Sequence, residues 1–447
     1  METKTIFRRK LYTKLVEWKQ EKKGSTALLI EGARRVGKST LVRSFAETEY
    51  KTHIFIDFTI AKKEIFSLFE DMSDLNLFFA KLKMAYGVEL FERKSLIVFD
   101  EVQLQPLARQ AIKHLVADGR YDYIETGSLI SIKKNVQNIL IPSEESKLLL
   151  QPMDFEEFRW AMGDATSVQV LRELYTPSFK MGDMHREMMR RLRLYMVIGG
   201  MPQAVDTYLK TQDFRAVDDV KRGILDLYAD DFAKIDISGR LSKIFNSIPA
   251  QLSQKNPNFK PYSAISRGVS KDVIDESLAE LENSRTIIVS HHTDDPNIGL
   301  ALTANFNKYK LYLADTGLFV TLAFRDKDFT ENTIYQKLLS DKLSVNMGNV
   351  YENLVAQMLR ASGKELYYHT FHQPDDTKLY EIDFLFSHKD KLCPIEVKSA
   401  KYKMHTSIDL FCKKYSARIG GQYLIHTKDF DKEGSLRKLP TYATCLL

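Results

Sequence analysis

Apolar positions along the first 150 residues fall into short runs separated by stretches of helical period. Ala27 to Glu31, His53 to Phe58, Ser95 to Asp100, Tyr123 to Thr126 and Lys147 to Leu150 have the length and composition of buried strands. Ser39 to Glu47, Ile65 to Tyr86 and Leu107 to Asp118 lie between them with helical spacing. Strands alternating with helices predict an α/β fold with a parallel sheet covered by helices. Ahead of it, Arg8 to Lys23 reads as a basic amphipathic helix with Leu11, Leu15 and Trp18 on one side, stopped by Gly24-Ser25.

The pattern changes after Pro152. From Phe155 to about Ala233 it is helical almost throughout, interrupted at Gly199-Gly200-Met201-Pro202, and reads as a helical lid. Ser270 to Asn283 forms a further helix. An apolar hairpin follows, Thr286 to Ser290 with Lys310 to Leu313, and helix then hairpin predicts a winged helix. The last segment predicts a helix at Asn349 to Ser362 and strands at Glu365 to Thr370, Tyr380 to Phe386, Lys391 to Lys398 and Gln422 to His426. The resulting division is 1–154, 155–240, 241–330 and 331–447.

Composition narrows the classes. At 447 residues and 44% hydrophobic content the chain supports several cores and is neither disordered nor fibrous. No run of eighteen uncharged apolar residues exists and the first ten residues are charged, so neither a membrane span nor a secretory signal is expected and the expected location is cytoplasmic. The three cysteines, Cys393, Cys412 and Cys445, lack C-x-x-C spacing and argue against disulfides or structural zinc. The net charge of +6 permits nucleic acid as a partner without demanding it.

Gly32-Ala33-Arg34-Arg35-Val36-Gly37-Lys38-Ser39, followed by Thr40, fits G-x-x-x-x-G-K-[ST] between a predicted strand and a predicted helix. Its backbone amides and the helix amino terminus suit phosphate, Lys38 suits the β- and γ-phosphates of ATP, and the Ser39 hydroxyl suits magnesium. Leu96 to Phe99 then run into Asp100-Glu101, carboxylates delivered to the carboxyl edge of a parallel sheet. Asp100 suits the magnesium shell, Glu101 the polarisation of attacking water. At Thr126-Gly127-Ser128 the hydroxyls of Thr126 and Ser128 either sense the γ-phosphate or position water, or the segment is simply a glycine turn. Arg34 and Arg35 face phosphate, solvent or a neighbouring subunit of a homo-oligomer.

These residues resemble a large prokaryotic family of AAA-type ATPases with a long, uncharacterised carboxyl half. The resemblance rests on the phosphate loop, Phe99 to Gln103 and Thr126 to Ser128. It continues through Leu149 to Pro152 with Phe155 to Phe158, Gly199 to Pro202, Ala314 to Leu318, Tyr351 to Val355 and Ile395 to Lys398. It implies ATP hydrolysis, a strand between the loop strand and the acidic strand, a helical lid, a winged helix and a restriction-endonuclease-like terminus.

Within that terminus Asp383 precedes Glu396-x-Lys398 on a neighbouring strand, the arrangement of a PD-(D/E)xK core. Alternation puts Glu396 and Lys398 on one face, where a hairpin can bring Asp383 beside them. Asp383 and Glu396 would hold magnesium, with Lys398 orienting water and Glu352 as a third acid. The set is read either as a nuclease or as the same fold used only for binding. Two functions follow: an ATP-driven machine acting on DNA, or a nucleotide-switched regulatory or defence scaffold that binds a protein client and cuts nothing.

Overall fold

The computed structural model describes residues 5–127, 143–176, 179–254, 258–265, 268–325, 333–340, 348–374, 377–400 and 403–447. The chain divides into two compact units, Met1–Gln151 with Asn283–Arg285, and Pro152–Glu282 with Thr286–Leu447.

The first unit is built on five parallel strands: β1 (Ala27–Glu31), β2 (Thr52–Asp57), β3 (Ser95–Asp100), β4 (Asp122–Gly127) and β5 (Glu145–Leu149). Their lateral order is β2-β3-β4-β1-β5, so β4 separates the loop strand from the acidic strand, as the resemblance implied. β1, β3 and β4 are buried at every position, which is why β1 and β3 read as nearly continuous apolar runs rather than alternations, whereas β4 buries Asp122, Glu125 and Thr126 as well. The expected helix at Ile65 to Tyr86 is two, Lys63–Ser67 and Leu75–Tyr86. Asp74 starts the second by accepting from the amides of Asn76 and Leu77. Phe58, Phe69, Phe78 and Phe99 pack ring against ring beneath them.

The second unit combines helices, among them Asp183–Ile198 and Phe214–Ile235, with eight strands. These are β6 (Ile287–Thr293), β7 (Ala304–Leu313), β8 (Leu366–Phe371), β9 (Tyr380–His388), β10 (Lys391–Lys398), β11 (Gln422–His426), β12 (Asp431–Glu433) and β13 (Leu436–Pro440), in lateral order β12-β13-β11-β10-β9-β8-β6-β7. The separation expected between 241–330 and 331–447 does not hold in this sheet. The hairpin β6–β7 is no free wing: β6 pairs in parallel with β8 through Ser290↔Leu366 and His292↔Tyr368. A row of unpaired amides beside β8 is satisfied by β6, an energetic requirement that a local pattern does not report. From Gly348–Ala361 onward the order is helix, β8, β9, β10, helix (Thr406–Lys414), β11, with β10 and β11 parallel.

Two segments singled out in the sequence meet inside this unit. The Asp315 carboxylate accepts from the Gly200 amide at 2.5 Å. A methyl group on Gly199 would lie 2.3 Å from the same carboxylate, so glycine is required where the chain passes.

Candidate functional site

The phosphate loop leaves β1 at Gly32. A Cβ there would lie 2.3 Å from the Leu150 carbonyl oxygen, so only glycine lets the chain turn beside the segment after β5. Arg35 (φ 70°) and Gly37 (φ 97°) are left-handed and curl the loop into the helix Lys38–Glu49. Ala33 and Val36 are buried, Arg34 and Thr40 half-buried, and Arg35 exposed. The buried Lys38 ammonium donates to the carbonyls of Gly32 (2.9 Å) and Ala33 (3.1 Å), which hold it over the loop. Arg9 braces the loop from behind, donating to the carbonyls of Val36 (2.9 Å) and Gln151 (2.5 Å).

Facing the loop, the Asp100 carboxylate collects two hydroxyls on one oxygen, Ser39 at 2.8 Å and Thr126. Burial pushes the Asp100 carboxyl up, while those hydroxyl bonds work the other way. Glu101 is left-handed (φ 55°), its amide donates to the Thr126 hydroxyl at 3.3 Å, and its carboxylate accepts from the Gln103 side-chain amide. The sheet edge thus gathers Ser39, Asp100, Glu101 and Thr126 from three segments. Ser128 lies outside the described residues. The sequence reading included Gln103 in a motif without a role, and missed Arg9 and Asp57, whose Cα stands opposite Asp100 in the register. The Asp57 signal was present, since β2 also ends in a carboxylate.

A second group of acids lies in the other unit. Ligand oxygens of Glu352, Glu381 and Asp383 all fall within 4.8 Å of one another. Glu352 comes from the helix Gly348–Ala361, whereas Glu381 and Asp383 are two apart on β9 and therefore share a face. The Asp383 carboxylate accepts from the Val397 amide at 2.7 Å across the β9–β10 pair. Glu396 does not join the three within ligand distance: one oxygen is held by the Lys398 ammonium at 2.6 Å, and the other is buried with no hydrogen-bond partner.

Lys310 of β7, unforeseen in the sequence, ion-pairs with Glu352 at 2.8 Å and with Glu381. Tyr312 donates to the same Glu352 oxygen at 2.7 Å. Burial, then Glu352, raises Asp383 well above the usual carboxylate range. For Lys310 and Lys398 burial opposes the charged amine, but the facing carboxylates carry both above their ordinary values. Glu381 could have been found from alternation along β9. Lys310 and Tyr312 could not, because their strand reaches the site only through the sheet.

Comparison with known proteins agrees with the first unit's architecture. Residues 24–159 match the family model described as AAA domain. Residues 189–328 and 347–442 match two models described as Domain of unknown function (DUF8612) and Domain of unknown function (DUF4143). No curated protein matches the sequence. Among solved structures the chain is similar to the Walker-type ATPase PABY2304 of Pyrococcus abyssi, at 18% identity over 71% of this chain and 96% of that one, with a TM-score of 0.43. It is also similar to the Aeropyrum pernix ORC1 protein in complex with DNA, at 11% identity over 76% and 94% with a TM-score of 0.29. A third is the Thermotoga maritima RuvB Holliday junction branch migration motor, at 14% identity over 63% and 89% with a TM-score of 0.28. Among the described residues no helix is long and apolar enough to cross a membrane.

Proposed function

We propose, from the premise that residues 24–159 form an AAA-type P-loop ATPase domain, that the chain binds ATP with magnesium at the Gly32 to Thr40 loop and hydrolyses it. The observation that carries this reading is the meeting of the Ser39 and Thr126 hydroxyls on the buried Asp100 carboxylate. Hydroxyl plus carboxylate is the oxygen donor set that magnesium takes, so the residues present fit the ion. When bound, the ion neutralises charge between the phosphates. Lys38, already aimed across the loop, is suited to the phosphate oxygens in place of the carbonyls it now holds. Glu101, fixed by Gln103, is suited to accept the proton of attacking water. The Thr126 hydroxyl orients the Asp100 carboxylate by donating to it and steadies the backbone of Glu101 by accepting from its amide.

Lys38→Ala should weaken ATP binding by about ten- to a hundredfold, the worth of one charge-assisted contact. Glu101→Gln should bind normally and lose turnover. Unaltered hydrolysis in both variants would remove the assignment.

For the second unit the reading is a restriction-endonuclease-like module acting on nucleic acid, in which Glu352, Glu381 and Asp383 hold magnesium and Lys398, paired with Glu396, stabilises charge. Support comes from the helix–strand–strand–strand–helix–strand order and the convergence of the acids. The helix Lys271–Asn283 carries a basic residue at its first position, and this supports a contact between the helix and DNA through Lys271, with the hairpin held in the sheet rather than free as a wing. Arg267, a second basic residue ahead of it in the sequence, lies outside the described residues.

One observation favours the scaffold instead: Lys310 already neutralises part of the carboxylate group, as a module that binds a protein client and cuts nothing would allow. Salt separates the two. DNA binding predicts that the logarithm of affinity falls with log salt by about 0.9 per phosphate contact.

A further inference from the structure

Lys310 reaches the acids from outside the helix and strands that carry them. It sits on β7, the last strand of the sheet, with β6 and β8 between it and β9. Four carboxylates (Glu352, Glu381, Asp383 and Glu396) face two ammonium groups (Lys310 and Lys398), and one buried Glu396 oxygen has no hydrogen-bond partner. Like charges enclosed together repel, so the group has an unmet demand for positive charge. Lys310 meets part of it while standing among the acids that a divalent ion would use. Lys310 and the acids form one wall of a cavity of about 160 Å3, which continues past them to Gln251, Gln254 and Asn258, with Leu252, Phe259 and Leu311 as its apolar part. Several waters fit in such a volume at about 30 Å3 each, so the ammonium has a polar space to move into.

We propose that Lys310 is an exchangeable resident cation: a divalent ion enters the Glu352, Glu381 and Asp383 group only as the Lys310 ammonium withdraws into the adjoining cavity. The inference rests on reading these acids as a cation site and adds what controls its occupancy. Metal affinity is then set by the seating of β7 as well as by the acids themselves. Any partner that draws the β6–β7 hairpin outward raises it.

The test uses the full chain and Mn2+ alone, followed by titration calorimetry and by thermal denaturation. Lys310→Met should bind Mn2+ at least about tenfold more tightly than wild type, the factor for one charge-assisted contact that no longer competes. Its midpoint, lowered without metal, should recover with Mn2+ by more than the wild-type midpoint rises. Adding Asp383→Asn should cancel both gains. Equal affinities in wild type and Lys310→Met overturn the exchange and leave the acids a cation site. If Asp383→Asn removes no Mn2+ binding from either protein, the exchange and the site fall together. Should Lys310→Met fail to fold, Lys310→Gln keeps a donor for Glu352 without the charge and serves the same comparison.

Discussion

Replacing Gly32 with alanine would place a methyl carbon 2.3 Å from the Leu150 carbonyl oxygen and 3.1 Å from Val36 Cγ2, at a backbone φ of +156°. A carbon normally approaches a carbonyl oxygen no closer than about 3.3 Å, so the overlap is about 1 Å. Leu150 cannot simply retreat, because its amide donates to the Glu31 carbonyl at 2.8 Å. Overpacking of this kind costs about 1–3 kcal/mol, and a φ rarely adopted by L residues adds about 1–3 kcal/mol. The cost has two outlets. If the loop keeps its shape, the unit loses stability, at about 2–4 °C of melting midpoint per kcal/mol for a domain of this size. If the loop yields, nucleotide affinity falls tenfold for each ~1.4 kcal/mol. Thermal denaturation and titration of a fluorescent ATP analogue, expressed together as free energy, should therefore total at least about 2 kcal/mol. Gly87→Ala is the control. Gly87 is left-handed at φ +64° with open space around it, so about 1 kcal/mol of stability should be lost there with affinity intact. A Gly32→Ala protein that melts and binds like wild type would refute the argument from close approach.

Glu125, fully buried on β4, is held well above the usual carboxylate range by burial and then by Glu145. Such a group contributes stability that is whole below its unfolded pKa and is lost as pH rises through the higher folded value. Glu125→Gln should therefore gain in melting midpoint over wild type from pH 5 to pH 8, and a difference independent of pH would refute this. In the second unit, Lys271→Glu should lower DNA affinity and flatten its salt dependence, while Asp383→Ala should abolish magnesium-dependent cleavage with affinity retained. Binding to one DNA form with no loss in Lys271→Glu would move the contact elsewhere.

The phosphate loop was legible because its chemistry is local: eight consecutive residues specify glycine where the chain must turn, and a cation and a hydroxyl where the helix begins. Asp100 and Glu101 were legible because a buried parallel strand is apolar until it ends. What failed was lateral. Nothing along β6 announces that its neighbour is β8, so the hairpin read as a wing and Lys310 as an ordinary strand residue. Arg9 was hidden for a similar reason, since one of its two carbonyl partners lies at Gln151. Glu396 shares a strand face with Lys398, as alternation expects, but it pairs with that lysine and stays outside the group of Glu352, Glu381 and Asp383, which alternation along one strand does not report. Short β13, interrupted by charges and ending in Pro440, becomes a strand through pairing with β11 on one side and β12 on the other.

The continuity of the eight-stranded sheet also bears on how the protein can be cut. A fragment beginning at residue 331 would keep every acid of the second site and still lack β6, leaving the backbone of Leu366–Phe371 open along one side. That strand carries Leu366, Tyr368 and Phe371, all buried in the intact chain, and an apolar strand with free amides recruits other copies of itself. Such a fragment would precipitate for a reason unrelated to its chemistry. A soluble piece has to begin ahead of Ile287, so the hairpin travels with the acids in any dissection or transplant of the module.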